Sequence, residues 1–367
     1  MASKKRILIS GYYGFDNSGD DAILKAIVKD IKENNNSIEI TVLSNNPTFT
    51  EKVYNIKAVN RFKIKKVIKS IKECHLFISG GGSLLQDITS TRSLLYYLTL
   101  MKLAKKFGKP IMVYANGIGP IDRKLNRFLT RKTLNKVDLI TLRDEDSKIF
   151  LENLGVENSN IFVTADPVFT LEPSEDKIID EILNKENVPW DKPLVGVSVR
   201  NWINEENLIP NVAKAIDYVI ENYKVNVVLI PMHYPEDLSI SNRILERVTS
   251  QNCYIISNKY NVEDIMGIIK RLEIIVAMRL HSLIYAATQN VPMVGIVYDP
   301  KIEGFLKSIN MGNMCPVEDV KDTRLIANID YVWQYRQDLK KELKELDIKM
   351  REEALKNVHM ALGLLEE

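Results

Sequence analysis

An arginine and a histidine stand two residues apart directly after an apolar run. In AMRLHSLIYAATQ (277–289), Arg279 and His281 follow the apolar residues 274–277 and precede an apolar helical segment. Histidine titrates near neutral pH and can act as an acid or a base, and neighbouring cations make it more acidic. A packed histidine that donates to a backbone carbonyl is the alternative. Because the pair ends a strand and opens a helix, we expect it to take part in chemistry.

Two further arginines end apolar runs in the same way. Arg143 closes DLITLR and Arg200 closes LVGVSVR. The planar guanidinium fork suits carboxylates and phosphates, so three strand-end arginines predict a small ligand with several negative charges. The acidic residues 144–146 offer Arg143 a simpler ion pair. This DED run is also a weak match to a metal motif, but it is more typical of a helix start.

Two polar loops follow other strands. GYYGFDNSGDDAIL (11–24) carries Asp20 and Asn17, which could instead cap the following helix. GGGSLLQD (80–87) places three glycines at a strand-to-helix turn, where backbone amides can face a phosphate or a sugar hydroxyl, although close packing needs only one. Neither loop matches the usual dinucleotide or ATP patterns. The residues predicted to hold a second, sugar-like substrate are Asn17, Gly80, Gly81, Gly82, Ser83, Gln86, Asp87 and Asn116.

The elements that must position these residues follow from the alternation of strands and helices. Short apolar runs separated by segments of helical spacing occur twice along the chain, which predicts an α/β fold of two tandem, doubly wound parallel sheets. In such sheets ligands bind beyond the carboxyl ends of the strands. The predicted boundaries are 1–170 for the first domain, 171–193 for a linker, 194–322 for the second domain and 323–367 for terminal helices that can pack back on the first domain.

Composition limits the classes of protein that fit. With 45% hydrophobic and 27% charged residues among 367, the chain is typical of globular proteins. Three widely spaced cysteines argue against a disulfide framework and a zinc site, and we expect no metal. No apolar run reaches the roughly 18–20 residues that a membrane span needs, and the first residues lack a signal-peptide pattern. These features predict a cytoplasmic location.

Charge is unevenly distributed along the chain. Residues 1–170 hold 27 Lys and Arg against 17 Asp and Glu, whereas the remainder holds 23 against 31. A basic first half predicts an anionic partner, which could be a phosphorylated substrate, a membrane surface or nucleic acid. In RFKIKKVIKSIK (61–72) the basic residues share one face and the apolar residues the other, so a surface helix is expected. Its basic face can also meet anionic lipids.

The motifs GYYGFDNSGDDAIL, GGGSLLQD, NGIGP, TLRDEDS and AMRLHSLIYA span almost the whole chain in order. In these motifs the sequence resembles the polysaccharide pyruvyl transferase family, closest to the branch that forms pyruvate ketals on secondary cell-wall polymers for S-layer attachment. The resemblance implies a GT-B-like arrangement of two Rossmann-like domains. It also implies a phosphoenolpyruvate donor, a lipid-linked acceptor with an N-acetylmannosamine residue, a 4,6-pyruvate ketal product, no cofactor and no nucleic acid. The enzyme would then work at the inner face of the membrane.

The resemblance also suggests roles for single residues. Phosphoenolpyruvate carries a carboxylate and a phosphate, which match the arginines at 143, 200 and 279, and the R-L-H-S motif adds Ser282 to the donor site. His281 would protonate the methylene carbon. Asp20 would be the base for the acceptor hydroxyl, with Asp87 as the second choice.

Two other functions remain open from the sequence. An inverting GT-B-type glycosyltransferase would need a nucleotide pocket, for which Glu303 is a loose candidate. A non-catalytic scaffold at a membrane surface would need none of the strand-end arginines or His281, so their convergence argues against it.

Overall fold

The computed structural model describes residues 4–88, 90–203 and 205–366 as two compact α/β units. The first unit comprises Met1–Leu171 and Met350–Glu367, and the second comprises Glu172–Lys349. Each unit is built on one parallel sheet with helices between successive strands. The predicted fold class of two doubly wound parallel-sheet domains is therefore confirmed.

The first sheet has a strand order that reverses next to its first strand. Its strands are β1 (Arg6–Tyr13), β2 (Glu39–Ser44), β3 (Lys57–Asn60), β4 (Leu76–Ser79), β5 (Ile111–Asn116), β6 (Leu139–Leu142) and β7 (Ile161–Val163). The helices are α1 (Ser18–Asn34), α2 (Pro47–Tyr54), α3 (Ile64–Glu73), α4 (Thr91–Lys106), α5 (Lys124–Leu134) and α6 (Glu145–Leu154). The order β3-β2-β1-β4-β5-β6-β7 puts the topological switch point between β1 and β4, where ligands of such sheets bind.

The second sheet repeats the same topology. Its strands are β8 (Leu194–Ser198), β9 (Asn226–Leu229), β10 (Cys253–Ile255), β11 (Leu272–Ala277), β12 (Met293–Val297) and β13 (Met314–Pro316). The helices are α7 (Asp176–Lys185), α8 (Glu205–Tyr223), α9 (Glu236–Leu245), α10 (Val262–Lys270), α11 (Leu280–Thr288), α12 (Pro300–Ser308) and α13 (Asp322–Glu366). In the order β10-β9-β8-β11-β12-β13 the switch point lies between β8 and β11.

Burial explains which strands the sequence predicts. The central strands β4, β5 and β6 are buried along their whole length, as parallel strands covered on both faces must be. The edge strands β3 and β13 were not predicted. Strand β3 is half-buried or exposed and β13 has only three residues, so neither forms a continuous apolar run.

The long terminal helix α13 contributes to both units, with residues from Met350 onward belonging to the first. There the fully buried Asn357 accepts a hydrogen bond from the Thr164 hydroxyl at 2.9 Å and donates to the Ala165 carbonyl at 3.2 Å. Lys5 donates to the Leu365 carbonyl at 2.8 Å. The last turns of α13 are therefore part of the hydrogen-bonded structure of the first unit. The segment 172–193 lies in the second unit and contains α7.

Candidate functional site

Polar residues converge at the switch point of the second sheet. Arg200 follows β8, Arg279 and His281 follow β11, and Tyr298 follows β12. The strands are in register here, since Ala277 at the end of β11 pairs with Ser198 of β8 and with Gly295 of β12. Two of the predicted donor residues, Arg200 and Arg279, and the predicted proton donor His281 therefore share one sheet edge, where strand-end residues face ligands in this topology.

Arg200 carries a positive charge that no carboxylate in the described part of the chain neutralises. Its Nη1 donates to the Tyr298 hydroxyl at 3.0 Å, and its guanidinium carbon lies 4.7 Å from the centre of that ring. Its Nε donates weakly to the Asn201 carbonyl at 3.4 Å. The Trp202 ring packs beside Tyr298 with a centroid distance of 5.1 Å. The two rings orient Arg200 and leave its charge available to an anion.

Arg279 is held by a buried carboxylate that sequence reasoning missed. Its Nε and Nη2 donate to the two oxygens of Asp237 at 2.9 and 2.5 Å, and Asp237 is fully buried. Asp237 also accepts from the backbone N–H of His233 at 3.0 Å. This two-point pair orients the guanidinium, which stays 16% exposed at the edge. The sequence signal was an acidic residue, in PMHYPED, just beyond the neighbouring strand β9.

His281 and Ser282 lie in the first turn of α11 but face different surroundings. His281 is half-buried, with its ring centre 6.4 Å from that of Tyr285. Ser282 is fully buried, and its hydroxyl donates to the Ser198 hydroxyl at 2.8 Å, which in turn donates to the Ile230 carbonyl. Ser282 therefore links the first turn of α11 to β8 by a hydrogen bond.

Arg143 belongs to the first unit, apart in sequence and in sheet from the other two strand-end arginines. Its side chain is only 6% exposed, and its Nη1 donates to Asp166 at 2.9 Å. Its Nη2 donates to the Ser83 hydroxyl at 3.1 Å, so two predicted site residues meet here. The main ion-pair partner is thus Asp166, which follows β7, whereas Asp144 lies 3.8 Å away and caps α6. The acidic run 144–146 is a helix start.

The loop after β1 combines a helix cap with a carboxylate near the glycine turn. Asn17 is the N-cap of α1 and accepts from the Gly19 N–H at 3.1 Å. Asp20 follows in the first turn and is half-buried. A Cβ at Gly82 would lie 3.2 Å from Asp20 Oδ1, so this carboxylate lies directly beside the triple-glycine turn. The capping role considered for Asn17 is real, and Asp20 lies at the switch point of the first sheet.

Close packing explains the first two of the three consecutive glycines, and backbone conformation explains the third. A Cβ at Gly80 would collide with the Tyr13 hydroxyl, and one at Gly81 would lie 2.8 Å from Ile23. Gly82 has φ +92, a backbone conformation that favours glycine, and its carbonyl accepts from the Gly117 N–H at 2.9 Å. The expectation that packing explains only one glycine was wrong. Contact between their amides and a ligand stays a prediction.

Asp87 is engaged by the segment between β5 and α5 and by α5 itself. Its carboxylate accepts from the N–H groups of Asp122 and Arg123 at 2.9 and 3.1 Å and from the Asn126 amide at 2.7 Å. Burial raises the pKa of Asp87, but these hydrogen bonds outweigh that effect and hold its pKa below the ordinary value. A low pKa and three local donors make Asp87 unsuited to act as the base.

Asn116 and Gln86 complete the predicted acceptor set. Asn116 is fully buried, and its amide nitrogen donates to the carbonyls of Gly80 and Ser79 at 2.7 and 3.3 Å. It therefore links the end of β5 to the end of β4. Gln86 is half-buried in the loop before Asp87. Asn116 supports the glycine turn from beneath, while Gln86 lies nearer its surface.

The described parts of the chain show neither a metal-binding cluster nor a membrane-spanning helix. In residues 4–88, 90–203 and 205–366 no group of three or more His, Cys, Asp or Glu side chains is placed to hold a metal ion. Within the same ranges, none of the helices combines the length and the apolar character needed to cross a bilayer. The three cysteines are buried and unlinked.

The two Rossmann-like sheets define a GT-B-like fold, and the residues at the second switch point are of types that can bind an anion and transfer a proton. Comparison with protein families makes this specific. Residues 17–300 match the model of the polysaccharide pyruvyl transferases, and the chain belongs to this family. It is therefore a pyruvyltransferase of polysaccharide biosynthesis.

Individual proteins are similar to this chain either in sequence or in fold. The amylovoran biosynthesis protein AmsJ of Erwinia amylovora is 21% identical, with 92% of this chain and 94% of that protein aligned. Among solved structures, MnaA of S. aureus in complex with UDP has a TM-score of 0.67 at 15% identity, covering 99% of this chain and 98% of that one. A putative UDP-N-acetylglucosamine 2-epimerase of Listeria monocytogenes has a TM-score of 0.69 at 12% identity, covering 98% and 96%. The structural matches show the fold.

Proposed function

We propose that this pyruvyltransferase moves the pyruvyl group of phosphoenolpyruvate onto an N-acetylmannosamine residue of a lipid-linked cell-wall glycan precursor, as in S-layer anchoring. The product is a 4,6-pyruvate ketal and inorganic phosphate. The observation that carries the proposal is the convergence of Arg200, Arg279 and His281 at the switch point of the second sheet. Two cations and one proton donor at one edge match a substrate with two anionic groups and a carbon to be protonated.

The donor's charges fit the two arginines in different ways. Arg200 has no carboxylate partner in the described chain and can take the full charge of a phosphate. Arg279 is already paired with Asp237, so its exposed edge is weaker in charge but fixed in orientation, which suits the carboxylate. Charged groups set in place before reaction stabilise developing charge without further rearrangement.

His281 supplies the proton that starts the transfer. Protonation of the methylene carbon turns it into a methyl group and leaves an oxocarbenium-like centre at the neighbouring carbon. One sugar hydroxyl attacks this centre, phosphate leaves with the C–O bond electrons, and the second hydroxyl closes the ketal. Of the two hydroxyl protons lost, one replaces the proton that His281 gave and the other goes to phosphate. General acid catalysis of this kind typically contributes about 10²–10⁴-fold.

The acceptor is assigned to the first unit, with Asp20 as the base. Asp20 lies beside the glycine turn, whereas Asp87 is engaged by three donors from the start of α5 and the segment before it. Asp20 therefore stays the proposed base, and Asp87 becomes a residue that shapes the loop. Ser83, held by Arg143, lies next to the same turn and offers a hydroxyl to the sugar.

A lipid-linked acceptor places the reaction at the cytoplasmic face of the membrane. The basic segment at α3 supports this location, because Lys63, Lys65 and Lys66 are exposed beside the exposed side chains of Phe62 and Ile64. Cationic side chains with neighbouring apolar ones favour an anionic lipid surface. No metal, cofactor or nucleic acid takes part in the proposed reaction.

The proposal is tested by incubating the protein with phosphoenolpyruvate and lipid-linked or soluble acceptors that contain N-acetylmannosamine. We expect acceptor-dependent release of phosphate and a product heavier by one pyruvate less one water, with chelators having no effect. UDP-sugars serve as the second arm. Transfer from a UDP-sugar without consumption of phosphoenolpyruvate would favour the glycosyltransferase and refute the proposal. In that reading Glu303 should contact the nucleotide, although it already pairs with Lys307 within α12.

A further inference from the structure

Arg61 is a buried cation whose surroundings differ from those of the other buried arginines. It follows the edge strand β3 and is 7% exposed. Arg143 and Arg279 each donate to a buried carboxylate, Asp166 and Asp237. Arg61 has no carboxylate within ion-pair distance in the described chain. The sequence placed it on an exposed basic face, and that expectation was wrong, because Arg61 points inward.

Aromatic rings surround the guanidinium of Arg61. Its carbon lies 4.5 Å from the ring centre of Tyr96, 5.4 Å from Phe15, 5.5 Å from Tyr97 and 5.7 Å from Phe62. Ring faces attract a cation through the negative charge density above and below the ring. They do not neutralise its charge as a carboxylate would, so the positive charge persists in a largely dehydrated setting.

The hydrogen-bonding capacity of Arg61 is also only partly used. Nη1 donates to the Gly11 carbonyl at 3.1 Å and Nη2 donates to the Tyr97 hydroxyl at a long 3.4 Å. Nε is buried and has no partner among the described residues. A buried donor without an acceptor is unfavourable, so an anion that accepts from it would remove this cost and also compensate the charge.

Arg61 adjoins the loop that carries the proposed base. Gly11 and Phe15 belong to the segment that leads into Asn17 and Asp20. Burial raises the pKa of Tyr97 to about 12, with Arg61 opposing the rise and the charge of Asp20 adding to it. Asp20 and Arg61 therefore both act on the Tyr97 hydroxyl, and an anion at Arg61 would lie in the acceptor region of the first unit.

The outer side of this cluster is both apolar and basic. Residues 62–66, with the sequence FKIKK, are exposed without interruption, including Phe62 at 64% and Ile64 at 70%. Tyr12, stacked on Phe15 at 4.1 Å, is also exposed. A sugar phosphate would need no apolar surface here, whereas a phosphate joined to a hydrocarbon would use the rings, the isoleucine and the lysines together.

We propose that Arg61 and the rings around it bind the phosphate or diphosphate ester of an apolar lipid alcohol, the group that joins the acceptor sugar to its carrier. The assignment rests on the proposed function, because it supplies that acceptor with an anchor beside Asp20. It goes further in naming the residue and the part of the acceptor that it recognises.

Calorimetry with geranyl diphosphate, a short soluble lipid diphosphate, tests the site without turnover. Arg61→Gln is expected to weaken binding by about tenfold or more, as for the loss of a charge-assisted hydrogen bond. Arg131→Gln removes an exposed charge of the same unit and should leave binding unchanged. Inorganic pyrophosphate should bind wild type more weakly than geranyl diphosphate. Equal binding of the two ligands, or unchanged affinity in Arg61→Gln, would overturn the proposal.

Two further variants protect the test against a folding defect in Arg61→Gln. Arg61→Lys keeps the charge over Tyr96 but lacks the fork, so we expect intermediate affinity, and wild-type affinity would contradict the role of the guanidinium. Phe62→Ser changes an exposed side chain and should weaken only geranyl diphosphate, not pyrophosphate; no change would rule out the apolar part. If geranyl diphosphate binds through Arg61 but no pyruvyl group is transferred, the lipid-phosphate site stands and the proposed function is refuted. If pyruvyl transfer occurs but lipid-diphosphate binding does not depend on Arg61, the proposed function stands and this site is refuted.

Discussion

Three arginines of similar sequence context have different environments at the scale of single residues. Each follows a strand, yet Arg143 is locked by Asp166, Arg279 is oriented by Asp237, and Arg200 has no carboxylate partner in the described chain. The sequence predicts where such side chains emerge, because strand ends are readable from apolar runs. It does not predict their partners, which come from residues tens of positions away. Their roles are therefore best separated by variants at each position.

Arg200→Gln should act on donor affinity. Since Arg200 is the arginine at this edge without a carboxylate partner in the described ranges, its loss should raise the KM for phosphoenolpyruvate about tenfold or more. Steady-state kinetics of phosphate release measure this effect. Arg243→Gln is the matched control, because Arg243 is an exposed arginine of the same unit that pairs with Glu205. An unchanged KM in Arg200→Gln would remove Arg200 from the donor site.

Arg143→Ala should act first on stability. Removing the guanidinium takes the ion-pair partner away from the buried carboxylate of Asp166, which typically costs about 3–5 kcal/mol. Urea unfolding of the variant should show this loss, and Arg200→Gln should not. The paired change Arg143→Met with Asp166→Leu should recover much of the stability. If Arg143→Ala unfolds like wild type, the ion pair is not structural and a direct role in ligand binding gains support.

At the scale of elements, the order of the strands in each sheet determines which loops become neighbours, and no sequence motif shows that order. The apolar runs predict strands, but only the pairing of β1 with β4 and of β8 with β11 makes the loops after them neighbours. Most central strands were predictable from continuous burial. The edge strand β3 was not predictable in this way. Because β3 was missed, the burial of Arg61, which follows it, was missed too. The face assignment of the segment at 61–72 failed for the same reason, since Phe62 and Ile64 precede the buried stripe formed by Val67 and Ile71.

The exposed lysines at the start of α3 should control binding to anionic lipid. Replacing Lys63, Lys65 and Lys66 by Gln should weaken association with phosphatidylglycerol vesicles about a hundredfold at low salt, at about 1 kcal/mol for each charge. Vesicle co-sedimentation measures this change. The control replaces Lys102, Lys106 and Lys136, which are exposed elsewhere in the same unit. Equal weakening in both triple variants would mean that net charge, and not this element, attracts the protein.

At the scale of the whole molecule, the sequence predicts the fold class well because two rounds of strand–helix alternation leave few topologies. It also predicts that the terminal helices can pack back on the first domain, but it does not reveal that Asn357 bonds to Thr164, since this contact joins residues almost two hundred positions apart. Long-range polar contacts of this kind also set how stability responds to pH.

Asp30 should make the free energy of unfolding depend on pH, and a variant with an uncharged residue at this position should lack that dependence. Burial raises its pKa from 3.8 to about 6, with the hydrogen bond from Thr170 opposing the rise. The folded state therefore binds an extra proton between about pH 4 and 6, and its stability falls as pH rises through that window. Asp30→Asn should gain up to about 3 kcal/mol over wild type between pH 4 and 7, at about 1.4 kcal/mol per pKa unit. Urea unfolding at both pH values measures this, and parallel pH profiles would contradict it.

The central claim is that His281 protonates the methylene carbon of phosphoenolpyruvate during transfer to a sugar. The most direct measurement is the isotope content of the product methyl group after reaction in deuterated water, read by mass spectrometry and NMR. Our account predicts a ketal with one deuterium in its methyl group, formed far more slowly by His281→Gln although phosphoenolpyruvate still binds. A ketal methyl group without deuterium, or an undiminished rate in His281→Gln, would contradict it.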